Sequence, residues 1–402
     1  MILMSGPMRF GFVGGGQLAM MTAQEAKYMN EKQGTKFSIN ILDPGKNCPA
    51  HPFVDHHIVA DFRDPDALSE LAAISDVLTY EIELGNAQAL KKLSNSGIKI
   101  LPSPASLEII QDKFTQKQFL RDSGIPVTDF VEVSDEISLG SNASEFGFPV
   151  MLKDRRDAYD GRGNYPSQNM NELLDYYKFL KGKNRTLMLE KFVPFEKEVS
   201  VIAARGHDGQ IATFPVGENI HEDSILKMTI TPSRISGAVS IEANEVARKV
   251  IEAFGTFGVF GIEMFVWGEK VLVNEVAPRV HNTGHGTLEK DAFSTSQFEQ
   301  HLRAISGMNL GDTKMKRPVV MHNILGEKDS FSGPYEIEGM DLVSLIPGAH
   351  LHLYGKEELR PKRKMGHISV VESGKPDMET LISRAEKARS LLKFVPARSK
   401  TK

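Results

Sequence analysis

The chain has 402 residues, of which 41% are hydrophobic and 25% charged, a composition typical of a globular protein of roughly two or three domains. Its net charge of −4 gives no reason to expect nucleic-acid binding, and no apolar run is long enough to span a bilayer. Cys48 is the single cysteine, which excludes an intrachain disulfide and predicts a reducing, cytoplasmic environment.

The N-terminal part, which we place at residues 1–112, alternates predicted strands with predicted helices. The strands are expected at Arg9–Val13, Phe37–Leu42, Asp76–Tyr80 and Ile98–Leu101, and the helices at Gln17–Met29, Asp64–Ile74, Asn86–Leu93 and Ser106–Ser123. This alternation is typical of a parallel sheet with helices on its faces.

The middle of the chain, which we place at residues 113–311, has hairpin-like strands interrupted by helices, the pattern of an α+β domain. The strands are predicted at Pro149–Asp154, Leu187–Phe192, Val199–Ala204 and Ile211–Pro215, and the helices at Asn171–Leu180 and Ala243–Ala253. A small third domain, residues 312–402, is predicted from strands at Val319–Ile324, Ala349–Tyr354 and His367–Val371 and a helix at Met378–Leu392.

Two apolar strands near the end of the middle region each carry an acid where a buried apolar residue is expected. The acids are Glu263 and Glu275, and Trp267–Lys270 between the strands predicts a hairpin turn. Burying two carboxylates without countercharge is costly, whereas Mg²⁺ favours a few carboxylates together with phosphate oxygens. The nearby Asn274, Arg279 and His281 favour a Mg²⁺–nucleotide site over an ordinary salt-bridged hairpin.

A glycine-rich loop, Gly14–Ala19, follows the first strand and matches the G-x-G-x-x-A pattern of dinucleotide sites. Its backbone N–H groups can hold a phosphate, and Asp43 ends the next strand where a ribose-binding acid would lie. The same loop occurs wherever a strand turns tightly into a helix, so both interpretations stay open. An NAD-binding oxidoreductase would rest on this loop alone.

Lys153 ends a predicted strand and precedes a basic loop that contains Gly161 and Gly163. Such a loop can fold over a triphosphate, although it is not a Walker A loop and a solvated basic turn is the alternative. The segment Glu190–Glu198 could line an adenine slot. Taken alone, it is better explained as an edge strand with solvated charges, and His221 as a structural histidine.

A basic cluster follows the predicted strand that ends at Tyr354. Its members are Lys356, Arg360, Lys362, Arg363 and Lys364. Charge runs are usually solvated faces, but the glycines that flank this one favour a structured turn that could hold a phosphate monoester.

Together these motifs resemble the ATP-grasp enzymes, and closely the N5-carboxyaminoimidazole ribonucleotide synthetases of purine biosynthesis. The resemblance covers most of the chain, from Arg9 to about Val371. It is carried by Gly14–Leu18, Tyr159–Gly163, Asn274–Arg279, His281–His285, Thr295–His301, Tyr354–Lys356 and Arg363–His367. It implies an ATP-grasp fold between a Rossmann-like N-terminal domain and a small C-terminal domain.

The resemblance also implies roles for individual residues. Contacts to ATP and its lid are expected at Lys113, Lys153, Gly161, Arg162, Gly163, Glu190, Lys191, Phe192, Val193, Glu198, His221, Asn274 and Glu275. Mg²⁺, or Mn²⁺ in its place, is expected on Glu263 and Glu275. The expected catalytic set, which meets bicarbonate and the ribotide, is Tyr159, Asp160, Arg162, Arg279, His281, Asn282, Lys356 and Arg363.

The implied reaction is the ATP-dependent carboxylation of 5-aminoimidazole ribonucleotide with bicarbonate, through carboxyphosphate. The resemblance implies a cytoplasmic homodimer with small-molecule substrates and neither nucleic-acid nor membrane partners. Another ATP-grasp ligase, such as a formate-dependent ribotide transformylase, shares the nucleotide site and stays open. Departures from the family pattern at Leu84–Asn86, Asp157–Ala158, Gly286 and Lys362 remove no charged catalytic group but affect the expected shape of the ribotide pocket.

Overall fold

The computed structural model describes residues 6–156, 163–374 and 377–397, and its N-terminal region alternates strands and helices as predicted. The elements are β1 (Met8–Val13), α1 (Gln17–Gln33), β2 (Phe37–Leu42), a 3-10 turn (His51–Phe53), β3 (His56–Ile58), α2 (Pro65–Ala73), β4 (Val77–Tyr80), α3 (Ala87–Asn95) and α4 (Pro104–Ile110). The strands lie in the order β3-β2-β1-β4, and neighbouring strands are parallel. The carboxyl ends of β1 and β4 therefore share the edge at which open α/β sheets bind ligands.

Two predictions for this region were wrong. The segment Ile98–Leu101 makes only an isolated bridge to β4 among the described residues. The helix predicted over Ser106–Ser123 is divided between α4 and α5 (Lys113–Asp122). Asp112 leaves the helical conformation, with φ −122° and ψ 111°, and its carboxylate accepts hydrogen bonds from the first turn of α5. An N-cap in mid-pattern thus starts a new helix.

The central region combines a small antiparallel sheet with part of a large one. The small sheet, ordered β5-β8-β6-β7, is built from β5 (Phe130–Val133), α6 (Glu136–Phe146), β6 (Val150–Asp154), β7 (Asn164–Ser167), α7 (Met170–Lys181) and β8 (Leu187–Lys191). The large sheet begins with β9 (Lys197–Arg205), β10 (Ile211–Thr213), β11 (Gly217–Glu222), β12 (Ile225–Thr231), β13 (Gly258–Trp267) and β14 (Lys270–Ala277). Helix α8 (Gly237–Phe254) connects β12 to β13. Strands β13 and β14 form the predicted acidic hairpin.

The C-terminal strands extend the same large sheet. The remaining elements are a 3-10 helix (Asn282–Leu288), α9 (Gln297–Ser306), β15 (Val319–Leu325), β16 (Tyr335–Glu338), α10 (Met340–Ser344), β17 (Ala349–Leu353), β18 (Lys364–Val371), α11 (Met378–Leu391) and β19 (Lys393–Pro396). The sheet runs β14-β13-β9-β11-β12-β15-β18-β17, with β10 beside β9, while β16 pairs with β19. The sheet thus passes through the domain limit predicted at residues 311 and 312, which stays a prediction.

Apolar packing fixes which way the acidic hairpin faces. Helix α8 buries Val246 and Val250 in one core with Ile262 and Val273 of the hairpin. Full burial of each such side chain contributes about 1.5–3 kcal/mol. Because side chains alternate along a strand, the residues between these apolar ones point away from α8, into the cleft where the acids lie.

Helix α9 joins the N-terminal sheet to the large sheet through His301, which is 1% exposed. Its Nε2 lies 2.8 Å from Thr79 Oγ1 in β4, and its Nδ1 accepts a hydrogen bond from the N–H of Val259 in β13 at 3.1 Å. The carboxyl end of β4 is thereby fixed relative to the acidic hairpin. Within the described ranges, no helix has the length and apolar character required to cross a membrane.

Candidate active site

The acidic hairpin sets Glu263 and Glu275 directly opposite each other as cross-strand partners. The register shifts immediately beyond this pair, so that Met264 faces Val273 and Asn274 becomes the extra residue of a β-bulge. Bulges re-aim side chains and are frequent beside active sites. Here the bulge leaves Asn274 and Glu275 both partly exposed while Val273 remains buried, so two adjacent oxygen donors face the cleft.

Helix α5 is docked on the edge of β14 by one glutamine. The side-chain amide of Gln116 donates to Val276 O at 3.1 Å, and its oxygen accepts from Val276 N at 3.0 Å. This pairing mimics a strand and places the start of α5 beside the hairpin. Lys113 Nζ consequently lies 2.6 Å from Glu275 Oε2.

Charge is matched unevenly across the pair of acids. Desolvation in the cleft opposes ionisation of Glu275, but Lys113 outweighs it and the pKa of that carboxyl is lowered. Desolvation, followed by the charge of Glu275, raises the pKa of Glu263 to about 7. A divalent cation that prefers oxygen ligands would relieve this repulsion, so the residues fit a Mg²⁺ site.

His281 is held over β13 by close packing. Gly261 lies beneath it, where an added Cβ would be 2.5 Å from His281 Cβ, and the His281 N–H donates to Gln297 Oε1 at 2.8 Å. Desolvation, together with the charge of Arg279, holds the pKa of His281 well below its ordinary value, so the ring is neutral. The next residue, Asn282, has a buried Oδ1 that finds no hydrogen-bond donor in the described part of the chain.

Two acids after β4 face the hairpin from the N-terminal region, and neither was predicted. Arg279 Nη2 lies 2.8 and 3.0 Å from the two oxygens of Glu83. Glu81 accepts a hydrogen bond from Leu18 N at 3.2 Å, and desolvation raises its pKa to about 7. Their position at the carboxyl end of a parallel strand, level with the glycine-rich loop, was the signal that could have identified them.

The glycine-rich loop is filled by carboxylates of the protein itself. Gly15 N donates to Asp43 Oδ2 at 2.8 Å, and a Cβ on Gly16 would lie 2.3 Å from Glu81 Oε1. Asp43 therefore secures the turn instead of facing a ribose. These contacts argue against the dinucleotide interpretation.

A buried charge network lies behind the predicted nucleotide residues. Glu190, 3% exposed, is 2.8 Å from Lys153 Nζ and 3.3 Å from Lys117 Nζ. Lys117 also donates to Thr128 Oγ1 at 2.9 Å, and desolvation lowers its pKa to about 8. No motif marked Lys117, although it lies one helical turn after Lys113. The predicted contact of Glu190 with the nucleotide stays a prediction, because its carboxylate is already within ion-pair distance of Lys117 and Lys153.

The remaining predicted nucleotide residues lie on and after neighbouring strands. Glu198 Oε2 on β9 lies 2.8 Å from His221 Nδ1 on β11. Desolvation opposes the imidazolium, but Glu198 outweighs it and raises the pKa of His221. Lys191 is exposed, while Phe192 and Val193 are partly buried where the chain leaves β8. This segment is accessible to a ligand, as a nucleotide slot requires.

The core of the predicted lid, comprising Tyr159, Asp160, Gly161 and Arg162, lies outside the described residues. Its two ends are fixed beside the nucleotide residues. Arg155 Nη2 lies 2.9 Å from Asp112 Oδ2, and Lys113 N donates to Arg155 O at 2.9 Å. At the other end, Gly163 has φ +89° and accepts a hydrogen bond from Asp154 N at 2.8 Å.

Of the basic cluster, Lys356 lies toward the site and Arg363 toward its own loop. Lys356 Nζ is 5.7 Å from the centre of the Tyr354 ring, and its charge reaches Glu81. Arg363 Nη1 donates to Glu358 O at 2.7 Å, and desolvation lowers its pKa. The structure thus places Lys356 within electrostatic reach of Glu81, and Arg363 in a hydrogen bond within its own loop.

Three family models match successive parts of the chain. They describe a ribonucleotide synthetase preATP-grasp domain over residues 8–111, an ATP-grasp domain over 118–298 and a phosphoribosylaminoimidazole carboxylase C-terminal domain over 319–380. The N5-carboxyaminoimidazole ribonucleotide synthase of Synechococcus elongatus is 38% identical to this chain. The alignment covers 96% of this chain and 94% of the relative. This chain belongs to the N5-carboxyaminoimidazole ribonucleotide synthase family.

Solved structures of the N5-carboxyaminoimidazole ribonucleotide synthase family superpose on this fold. The enzyme from Thermotoga maritima is 43% identical, covers 97% of this chain and 100% of its own, and has a TM-score of 0.85. The enzyme from Aspergillus clavatus in complex with ADP and 5-aminoimidazole ribonucleotide is 32% identical, with coverage of 96% and 100% and a TM-score of 0.84. The predicted fold class, family and ATP-dependent ligase activity are confirmed, and the oxidoreductase and transformylase alternatives are set aside.

Proposed function

We propose that this chain couples ATP cleavage to carboxylation of 5-aminoimidazole ribonucleotide in purine biosynthesis, yielding N5-carboxyaminoimidazole ribonucleotide, ADP and phosphate. One observation carries the assignment of this chemistry to the cleft. The opposed acids Glu263 and Glu275 lie beside Arg279 and a neutral His281. The relative from Aspergillus clavatus was solved with ADP and the ribotide, the two ligands that such a cleft must hold.

Glu263 and Glu275, with Asn274 beside them, would hold Mg²⁺, and Mn²⁺ suits the same oxygen donors. When bound, the ion would neutralise charge on the phosphates, which is the main requirement of phosphoryl transfer. Lys113 and Lys153 would supply fixed positive charge on the same side of the cleft. Carboxylate oxygens lie 2.6 Å from Lys113 Nζ and 2.8 Å from Lys153 Nζ.

The reaction would proceed in two displacements. A bicarbonate oxygen attacks the γ-phosphorus of ATP, the bond to the bridging oxygen breaks, and ADP leaves. The exocyclic amine of the ribotide then attacks either the carbon of carboxyphosphate or the CO₂ released from it, and phosphate departs with the oxygen that came from bicarbonate. Arg279, oriented by Glu83, would hold bicarbonate together with Arg162.

The N-terminal acids and the basic cluster would hold the ribotide. Glu81 lies within the electrostatic reach of Arg279 and Lys356, and its pKa of about 7 suits transfer of the amine proton. Lys356 and Arg363 would bind the ribotide phosphate. Because carboxyphosphate hydrolyses quickly, water must be excluded, and the loop between Arg156 and Gly163 is proposed as the lid.

Several finer features remain part of the proposal. These are the homodimer, the cytoplasmic location, the lid residues Tyr159, Asp160 and Gly161, and the domain limits at residues 112 and 311.

The test is an isotope experiment with the purified chain. ADP formation should require both the ribotide and bicarbonate. With ¹⁸O-labelled bicarbonate, the phosphate released should carry ¹⁸O, because carboxyphosphate leaves one bicarbonate oxygen on phosphorus. ADP formation driven by formate, or phosphate without the label in a coupled turnover, would contradict the proposed reaction.

A further inference from the structure

A group of imidazoles and a buried acid lies outside the set of residues assigned to the reaction. His350 and His352 are two residues apart on β17, so their side chains share one face of the strand. His367 on β18 is the cross-strand partner of His352 and shares that face. Glu289, which follows the 3-10 helix Asn282–Leu288, faces them from the other side. We call Glu289, His350, His352 and His367 the histidine cluster.

The acid of the histidine cluster has imidazoles as its ion-pair partners. Glu289 is 5% exposed. Its Oε1 lies 2.8 Å from His352 Nε2, and its Oε2 lies 3.3 Å from His350 Nδ1. A buried carboxylate gains from a cation, since burial of an unmatched charge is costly.

An independent observation points to a ligand. His367 is fully buried, and its Nδ1 lies 3.0 Å from the hydroxyl oxygen of Tyr354. Its Nε2 is also buried and makes no hydrogen bond to any described residue. Buried polar atoms are almost always satisfied, so this nitrogen calls for a partner. A histidine held through one nitrogen with the other left open is the arrangement of a metal ligand with its outer-shell support.

The geometry brings the candidate donors to one point. One donor atom from each of Glu289, His352 and His367 lies within 4.8 Å of the other two. The rings of His352 and His367 stack nearly parallel, at 12° with centroids 4.5 Å apart. The side chains of His350 and His352 are 38% and 29% exposed, which gives an ion a path from solvent.

We propose that Glu289, His352 and His367 bind a divalent transition-metal ion of the Zn²⁺ class. Two imidazole nitrogens and a carboxylate oxygen match the ligand set of Zn²⁺ and its neighbours, whereas Mg²⁺ prefers oxygens alone. His350 stays outside this set and contacts Glu289 Oε2 through its Nδ1 at 3.3 Å. The site is therefore chemically distinct from the oxygen-lined Mg²⁺ position at Glu263 and Glu275.

The ion acts as a brace between two segments. Glu289 belongs to the stretch that follows His281 and Asn282, whereas the histidines belong to β17 and β18. Strand β17 leads directly to Tyr354 and Lys356, so a metal here fixes the start of the basic cluster relative to the cleft. The role assigned to it is structural, and no step of the carboxylation runs through it.

The test measures Zn²⁺ binding to the full chain after chelator treatment, without nucleotide and with Mg²⁺ in excess. The expected result is one Zn²⁺ per chain that Mg²⁺ does not displace, and a Co²⁺-substituted form with the absorption of a tetrahedral nitrogen and oxygen site. Glu289→Gln and His352→Gln should each weaken Zn²⁺ binding at least about a hundredfold. Tyr354→Phe should weaken it by about ten- to a hundredfold, the usual effect of losing an outer-shell partner.

Two controls separate this site from others. His207→Gln removes an exposed histidine outside the cluster, and Glu263→Gln alters the proposed Mg²⁺ position; both should leave Zn²⁺ binding unchanged. Failure of the parent chain to bind Zn²⁺ or Co²⁺ overturns the proposal whether or not the variants fold. Retention of Zn²⁺ by both Glu289→Gln and His352→Gln, or its loss in Glu263→Gln, also overturns it. These results leave the carboxylation assay unaffected, so the two proposals fail separately.

Discussion

The Glu190 network and the acidic hairpin are neighbouring carboxylate sites with opposite charge balance. Glu190 is 3% exposed and lies within ion-pair distance of both Lys117 and Lys153. The side chains of Glu263 and Glu275 are 24% and 47% exposed and stand opposite each other, with a lysine paired to Glu275. Glu190 thus has two cationic partners, whereas Glu263 and Glu275 share too little positive charge.

This difference separates a carboxylate that stabilises the fold from carboxylates that can bind a cationic ligand. A buried acid with two cationic partners is satisfied by the protein itself, and removing one partner is costly because a charge remains buried. A partly exposed pair of acids with incomplete compensation is where a cationic ligand gains most, and a pKa raised to about 7, as on Glu263, is a mark of such places. The following predictions test whether that division holds.

The largest effect is expected at the hairpin. Glu275→Gln should keep the fold yet lower turnover by about a thousandfold or more, because a neutral amide is a poor ligand for Mg²⁺. ADP formation at saturating ATP and ribotide measures it. Glu269→Gln, in the hairpin turn, is the matched control and should behave like the parent. Near-normal turnover of Glu275→Gln at saturating Mg²⁺ would remove Glu275 from the metal site.

A smaller effect, on stability and its pH dependence, is expected in the Glu190 network. Desolvation lowers the pKa of Lys117 to about 8 from an ordinary value of 10.5. Between these values the unfolded chain holds a proton that the folded chain has lost, so stability rises with pH. The free energy of unfolding of the parent, minus that of Lys117→Met, should therefore increase by about 1.4 kcal/mol per pH unit above pH 8.

That pH dependence is measured by denaturant unfolding from pH 7 to 9.5. Below pH 8, Lys117 is charged in both states, so the difference between parent and variant should be flat there. A difference that stays flat up to pH 9.5 would mean that Lys117 keeps its ordinary pKa. The contrast between the Glu190 network and the acidic hairpin would then no longer hold.

The sequence predicted the hairpin well because its information is local. Alternating apolar residues and the turn Trp267–Lys270 define β13 and β14, and the register confirms them. The bulge at Asn274 could not be predicted, since it depends on which residues of the two strands face each other. Strands β11 and β12 were missed for a similar reason, whereas helix α6 was missed although its capping box at Asp135 and Ser138 is local. The pairing of β12 with β15, for example, joins segments far apart in sequence.

The same limit applies to the candidate site. The strand-borne acids and the lysines Lys113 and Lys153 were found from their motifs. Lys117, and the pairing of Glu83 with Arg279, rest on contacts between separate regions that no local pattern encodes. Burial is also a tertiary property, so the sequence could not tell that Glu190 would be enclosed by lysines.

The basic cluster extends the comparison, because Lys356 lies toward the site whereas Arg363 is bonded within its own loop. Lys356→Ala should weaken ribotide binding by about ten- to a hundredfold, since a charge-assisted contact contributes roughly 1.5–3 kcal/mol. Arg363→Ala should weaken it less. Titrations with ribotide and with ATP measure both, and ATP affinity should barely change. Selective loss of ATP binding would place the cluster at the nucleotide instead.

The smallest effect is expected at the described end of the proposed lid. Gly163 has φ +89°, a conformation that a side chain disfavours by about 1–2 kcal/mol. Gly163→Ala should therefore shift the loop and raise ATP hydrolysis that is not coupled to carboxylation by a few fold. Gly209→Ala, at φ +85° and with open space around its Cβ, is a matched control for backbone strain. If both variants show the same coupling ratio of ADP to carboxylated ribotide, strain alone explains the result and the loop is not a lid. A change confined to Gly163→Ala would show that the loop protects the intermediate from water, which matters because carboxyphosphate hydrolyses quickly.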